Sequence, residues 1–237
     1  PDISIANIYA RGGDAAHGSN RNGGSGNAVR VGWSSNPPRL IKRNASAIQT
    51  AGGQGDSSGS DGFGGRVAFY GPVSLIGGDV DINAGNVFSD IRFYGDVNGN
   101  QNLELTSGSA VRFYNNAAVG TGIAPDAELA SLTVTSDEIY INDVTTLGRQ
   151  VYTGPDDIVT DGNLTTSGGD ITFNNGVEIR GPLVINTTAD DTAGGSVVFK
   201  KTLDAVNGNQ TPVTITAGVG DVHFDGAVGR IAADSAL

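Results

Sequence analysis

Residues 90–117 read DIRFYGDVNGNQNLELTSGSAVRFYNNA. One phrase frames this stretch twice, as Ile91-Arg-Phe-Tyr94 and Val111-Arg-Phe-Tyr114, with Leu103-Glu-Leu105 between the copies. Apolar and polar residues alternate in each run, the period of a strand with one buried face. Outward from here the apolar-x-Phe triplet recurs as Val67-Ala-Phe69, Ile171-Thr-Phe173, Val197-Val-Phe199 and Val222-His-Phe224. Four residues after each Phe stands Val73, Val97, Ala117, Val177, Leu203 or Val228. A second run follows as Val80-Asp-Ile82, Leu103-Glu-Leu105, Leu132-Thr-Val134, Leu183-Val-Ile185 and Val213-Thr-Ile215, often closed by a glycine such as Gly85, Gly108 or Gly218. The Phe positions are spaced by 24, 20, 60, 26 and 25 residues. The long gap is expected to hide further coils, with strands at Glu138-Ile-Tyr-Ile-Asn142 and Asn163-Leu-Thr-Thr-Ser167.

A short alternating strand cannot bury its apolar face alone, but the same face stacked coil upon coil can. Repeats of this length fall in the range of solenoids. The expectation is an all-β fold, a parallel β-helix of roughly 20–26-residue coils with three short strands each. In it Val67, Ile91 and Val111 form one inner column and Phe69, Phe93 and Phe113 another. All six triplets are read as the same strand of successive coils, facing the apolar-x-apolar strand. About ten coils ~4.8 Å apart would give a rod on the order of 45 Å long. No sustained 3.6-residue period supports helix, and Asn98-Gly99, Asn175-Gly176 and Asn207-Gly208 mark turns. The competing architecture is a compact β-sandwich.

The first 65 residues carry a longer unit. Ile8-Tyr-Ala-Arg-Gly-Gly13 matches Ile48-Gln-Thr-Ala-Gly-Gly53, and Gly23-Gly24 precedes Val29-Arg-Val31 as Gly64-Gly65 precedes Val67-Ala-Phe69. The polar stretches Asp14 to Asn22 and Gln54 to Phe63 are expected to project as loops from one recurrent turn. Residues 1–237 are thus read as one solenoid segment, with decorated coils over 1–65 and regular coils over 66–237.

Composition narrows the function classes. A 38% hydrophobic content requires a core. With no cysteine there is no disulfide framework, thiolate metal site or catalytic thiol. There is no methionine, no signal peptide at Pro1 and no apolar run long enough for a membrane span, so the chain reads as an internal or processed piece of a longer protein. A net charge of −11 disfavours nucleic acid as a partner, and the one basic stretch, Arg39, Lys42 and Arg43, reads as a solvated loop or edge.

Val144-Thr-Thr-Leu-Gly-Arg-Gln-Val-Tyr-Thr-Gly154, then Asn163-Leu-Thr-Thr-Ser-Gly-Gly-Asp-Ile-Thr-Phe173, and again Gly220-Asp-Val-His-Phe-Asp-Gly-Ala-Val228, resemble repeats of filamentous-haemagglutinin-like adhesins and related giant repetitive exoproteins. The resemblance implies a right-handed β-helix at the bacterial cell surface, secreted, in proteins of adhesion, aggregation or biofilm.

Because β-helices also host carbohydrate-active sites, the outward residues are candidates for such a site. Aligned second strands put Asp81 beside Glu104 with Thr133 next, a pair suited to acid/base work or Ca²⁺ but read as a solvated strand face. Arg92 and Arg112 should stack outward near acceptors such as Asp90 or Asp96, with His223 in the equivalent position farther along. Tyr70, Tyr94 and Tyr114 should form a ladder, structural first and a sugar-stacking strip if exposed. Gly77-Gly-Asp-Val-Asp81 lacks the repetition of Ca²⁺-binding nonapeptides, and Ser57 in Gln54-Gly-Asp-Ser-Ser-Gly59 has neither His17 nor His223 tied to it. Asn44, Asn163, Asn186 and Asn209 begin sequons that a bacterial source would leave unused.

No residue is therefore assigned to a catalytic, cofactor or metal site, and structural Ca²⁺ is the one cofactor left open. The expected function is structural and non-enzymatic: an adhesin shaft or fibre subunit that self-associates or continues into further repeats, with surface glycans or a host receptor as ligands. A carbohydrate-binding or carbohydrate-active module is the alternative.

Overall fold

A computed structural model of the chain describes residues 3–5, 7–14, 22–31, 40–43, 46–54, 60–85, 88–114, 117–120, 128–189, 193–206 and 211–229. Its strands fall into three parallel ladders. The first holds β1 (Ile3–Ile5), β4 (Leu40–Arg43), β7 (Val73–Ile76) and β10 (Val97–Asn98), and Val119 bridges β10 to β13 (Val144–Thr146), β16 (Leu164–Thr166), β19 (Leu183–Asn186) and β22 (Val213–Thr216). The second holds β2 (Ile8–Tyr9), β5 (Ser46–Gln49), β8 (Val80–Asn83), the first halves of β11 (Asn102–Phe113) and β12 (Ser131–Ile141), then β14 (Gln150–Thr153), β17 (Ile171–Phe173), β20 (Val197–Phe199) and β23 (Val222–Phe224). The third holds β3 (Val29–Val31), β6 (Val67–Phe69), β9 (Asp90–Phe93), the second halves of β11 and β12, then β15 (Ile158–Thr160), β18 (Val177–Ile179) and β21 (Leu203–Ala205). Because β11 and β12 run through both, the second and third ladders form one 15-stranded sheet. A bulge between Ser107 and Ala110 turns that corner.

Read in chain order, the strands visit the first, second and third ladders in unbroken rotation from β1 to β23, and Val228 then bridges to Leu203 on the third. Every pairing between named strands is parallel, which excludes the antiparallel sandwich. Inward residues of all three ladders, among them Leu75 and Leu164 on the first, Leu103 and Ile171 on the second, and Val67 and Val177 on the third, join one buried cluster. Burying each such side chain stabilises by about 1.5–3 kcal/mol.

The expected columns Val67–Ile91–Val111 and Phe69–Phe93–Phe113 are present on the third ladder. Their rings stack at 4.9 Å per step. The other three triplets are not their continuation. Ile171–Phe173, Val197–Phe199 and Val222–Phe224 pair with one another on the second ladder, in line with Leu132, Val134 and Tyr152. Here Tyr152, Phe173, Phe199 and Phe224 form a separate stack, at 5.4, 4.8 and 4.9 Å. The aromatic column therefore changes ladder between Phe113 and Tyr152. Correspondingly, Leu183-Val-Ile185 and Val213-Thr-Ile215 lie on the first ladder, not beside Val80, Leu103 and Leu132. The strands expected in the long gap are there, as parts of β12 and β16.

The glycine pairs near the N-terminus open the corner between the second and third ladders. Two outgoing segments, after β2 and β5, interleave with two returning ones, before β3 and β6. Gly24 N–H donates to Gly13, Gly53 N–H to Gly24 and Gly62 N–H to Gly53, at 2.8, 2.8 and 2.9 Å. Backbone approaches so closely that a Cβ on Gly12 would stand 1.6 Å from the Gly24 carbonyl oxygen, and one on Gly53 2.1 Å from that of Gly13. Only glycine fits there. The glycine segments that flank both polar stretches meet at this one corner; residues 15–21 and 55–59 of the expected loops, including His17 and Ser57, lie outside the described residues.

Candidate functional site

The outer side of the second ladder carries the carboxylate pair. Ala47, Asp81, Glu104 and Thr133 stand opposite one another in register on β5, β8, β11 and β12, so the expected adjacency of Asp81 and Glu104 is present. They floor a trough of about 760 Å³, with exposed Tyr9 toward one end and Arg149 toward the other. Partial burial, and then the neighbouring Glu104 charge, raise the Asp81 carboxyl above the usual range. Neither carboxylate has a hydrogen-bond or ion-pair partner among the described residues. Two neighbouring carboxyl groups over an open trough are the kind of pair that glycoside cleavage employs. Among the described residues no three His, Asp or Glu side chains converge as a metal would need. His223 belongs to this column and not, as expected, to that of Arg92. It continues the line of Thr133, Val151, Thr172 and Val198, and its ring lies 2.7 Å from Asp225. The reassignment follows from the change of ladder described above.

The outer side of the third ladder is cationic and aromatic. Arg92 pairs with Arg112, and Arg112 with Tyr140, in register. Arg92 reaches Asp90 at 2.6 Å, the acceptor expected for it, and Arg66 shares that carboxylate at 3.2 Å. Arg112 is paired with Glu138 instead of Asp90 or Asp96. At the ladder's edge Tyr70, Tyr94 and Tyr114 stack at 4.9 and 4.8 Å, the expected ladder, half-buried. Beyond it a pocket of about 370 Å³ opens between Arg112, Tyr114, Tyr140, Asn142, Asp161 and Arg180. Two guanidinium carbons share the Tyr140 ring, that of Arg112 4.9 Å and that of Arg180 5.4 Å from its centre. Tyr140 and Arg180 were not singled out from sequence, because their rows meet only when coils of unequal length are stacked.

Much of the remaining chemistry is internal. Asp79, Asp96, Asp143 and Asp170 each stand one residue before a strand or bridge and accept the backbone N–H of the next coil, from Asn102, Ala118, Asn163 and Ser196 at 2.7–3.1 Å. Asp79, part of the Ca²⁺-like phrase, is used in this way. The Gln150-Val-Tyr152 phrase is an interior network. Both polar side chains are fully buried; the Tyr152 hydroxyl donates to Gln150 Oε1 at 3.0 Å, and Gln150 Nε2 donates to the Thr165 carbonyl at 2.8 Å and Thr146 Oγ1 at 3.3 Å. Asn163 is exposed and Asn186 half-buried, while Asn44, Asn209 and Arg39 lie outside the described residues, as do the side chains of Lys42 and Arg43. No helix is long and apolar enough to cross a membrane among the described residues. No family model, curated protein or solved structure matches the chain.

Proposed function

We propose that the chain is a right-handed parallel β-helix serving as a structural segment of a secreted bacterial surface protein, the shaft of an adhesin or a unit of an extracellular fibre. The observation that carries this reading is the unbroken rotation of strands through three parallel ladders around one core. Nine strands on the second ladder at ~4.8 Å per step span about 40 Å along the stack. The resemblance of the repeat phrases to filamentous-haemagglutinin-like exoproteins supports the cell-surface setting. Electron microscopy of the purified chain with light scattering tests the proposal: short rods of about that length, or filaments built from them end to end, are expected, and a near-spherical particle of constant size would overturn it.

The trough over Asp81 and Glu104 favours a second reading, a carbohydrate-binding or carbohydrate-active module. Its test is release of reducing sugar from a polysaccharide panel. Turnover abolished by Asp81→Ala or Glu104→Ala would support it, and no turnover on any member would leave the structural role.

A further inference from the structure

The pocket on the third ladder has a composition that shaft-building does not require. The molecule carries a net charge of −11, so a free cation on it should find an acid easily. Arg66, Arg92 and Arg112 do so, with Asp90 and Glu138. Arg180 does not. Among the described residues it has no carboxylate within ion-pair reach, and it is turned instead over Tyr140, where Arg112 already stands. Its charge is left without an acid to offset it, and an anion entering the pocket beside Tyr140 would supply one.

The rest of the lining says what kind of anion. Asp161 brings an acceptor for hydroxyl groups, which a bare sulfate does not carry. Asn142 spends its amide N–H groups on the Phe113 and Ala117 carbonyls, at 2.9 and 3.4 Å, which leaves its side-chain oxygen to accept. Tyr140 and Tyr114 offer ring surface. Guanidinium donors for an acid, two acceptors for hydroxyl groups and an aromatic wall together match a sugar ring bearing a carboxylate. The volume, about 370 Å³, is at the lower end for ligand pockets and suits one ring more than a long chain.

We propose that Arg112, Tyr140 and Arg180 form a binding site for a carboxylated sugar, a uronic-acid residue of an acidic glycan, with Arg180 as its principal charge contact. The proposal goes beyond the shaft reading and does not depend on assembly, since the site lies on the side of the stack. The test is calorimetric titration of the full chain with oligogalacturonate, with a neutral oligogalactan of equal length, with sodium sulfate and with a single-stranded RNA. Saturable binding of the oligogalacturonate is expected, at least tenfold tighter than the neutral oligomer and weakening with salt. Arg180→Gln should weaken it at least tenfold with an unchanged melting curve, because this side chain is exposed. Tyr140→Leu should weaken it too, and Lys200→Gln, on another exposed turn, should leave it unchanged. Equal affinity for the neutral oligomer, binding of sulfate or RNA as tight as that of the uronate, indifference to Arg180→Gln, or no uronate binding would each overturn the proposal.

Discussion

The buried pair Gln150 and Tyr152 makes a quantitative test of how the core is specified. Gln150 sits between Leu132 and Ile171 in one inner column, Tyr152 between Val134 and Phe173 in the next. Tyr152→Phe keeps the ring over Phe173 but removes the donor to Gln150 Oε1, leaving a fully buried oxygen without a partner. Orphaning such a group costs about 1–3 kcal/mol. Gln150→Leu suits its column neighbours in shape but strands the Tyr152 hydroxyl and withdraws a donor from the Thr165 carbonyl, a cost of similar size, about 1–3 kcal/mol. The double variant removes both orphaned groups at once. Thr146 still donates to the Gly148 carbonyl, so little remains unsatisfied beyond the Thr165 oxygen. The double variant should then lie within about 1 kcal/mol of the parent, with a coupling energy of about 1–3 kcal/mol between the two sites. Urea unfolding of the four proteins followed by circular dichroism reads this directly, with equal slopes as the check that one transition is compared. Simple additivity, with the double variant losing the sum of the single losses, would refute the reasoning. The same pair has a signature at high pH. Burial pushes the Tyr152 phenol above its usual range, so the folded chain keeps its proton where the unfolded chain, with a pKa near 10, loses it. That stability is fully present below about pH 10 and is lost above it, and Tyr152→Phe should flatten the alkaline slope.

Gly12→Ala should destabilise the N-terminal coils strongly, because its Cβ would overlap backbone that no rotamer change can move; Gly13→Ala meets nothing within 4 Å and should be nearly silent, a contrast that hydrogen exchange of the neighbouring amides can read. Asp143→Ala and Asp170→Ala should each cost about 0.5–2 kcal/mol in urea unfolding by freeing the N–H of Asn163 or Ser196, with the Asn variants milder because the amide oxygen still accepts. The raised Asp81 carboxyl makes the folded chain bind its proton more tightly than the unfolded one, so this contribution to stability is present below pH ~4 and lost as pH rises through the folded value. Asp81→Asn should therefore raise the melting temperature at pH 7, and the gain should shrink toward pH 4.

The parallel stack was legible because period-two runs recur at coil length, and register within a block of equal coils follows from sequence alone. That is why Asp81 met Glu104 and Tyr70 met Tyr94 as expected. The assignment of all six Phe triplets to one ladder failed for a physical reason. Each ladder accepts any apolar-x-apolar strand, so a triplet does not say which ladder it joins. The change falls where the usual signals invert: β11 and β12 cross a corner without a turn, and at Gln150-Val-Tyr152 the polar glutamine is buried while Val151 is partly exposed. The aspartates before strands read as turn residues, since a carboxylate that caps the coil above leaves no periodic trace. The Arg112–Tyr140–Arg180 pocket draws on four successive rows of the third ladder and was invisible for the same reason.

The glycine segments at the N-terminal corner bear on how such a chain can change over generations. An insertion in one coil of a stack is ordinarily an independent edit, free to lengthen or vanish without regard to its neighbours. Here Gly24, returning from one insertion, is held between Gly13 and Gly53, and Gly53, leaving for the next, is held by Gly62. Excising either insertion would strip the other of its backbone partners. The two segments therefore form one hydrogen-bonded unit, and a change to one is a change to the other.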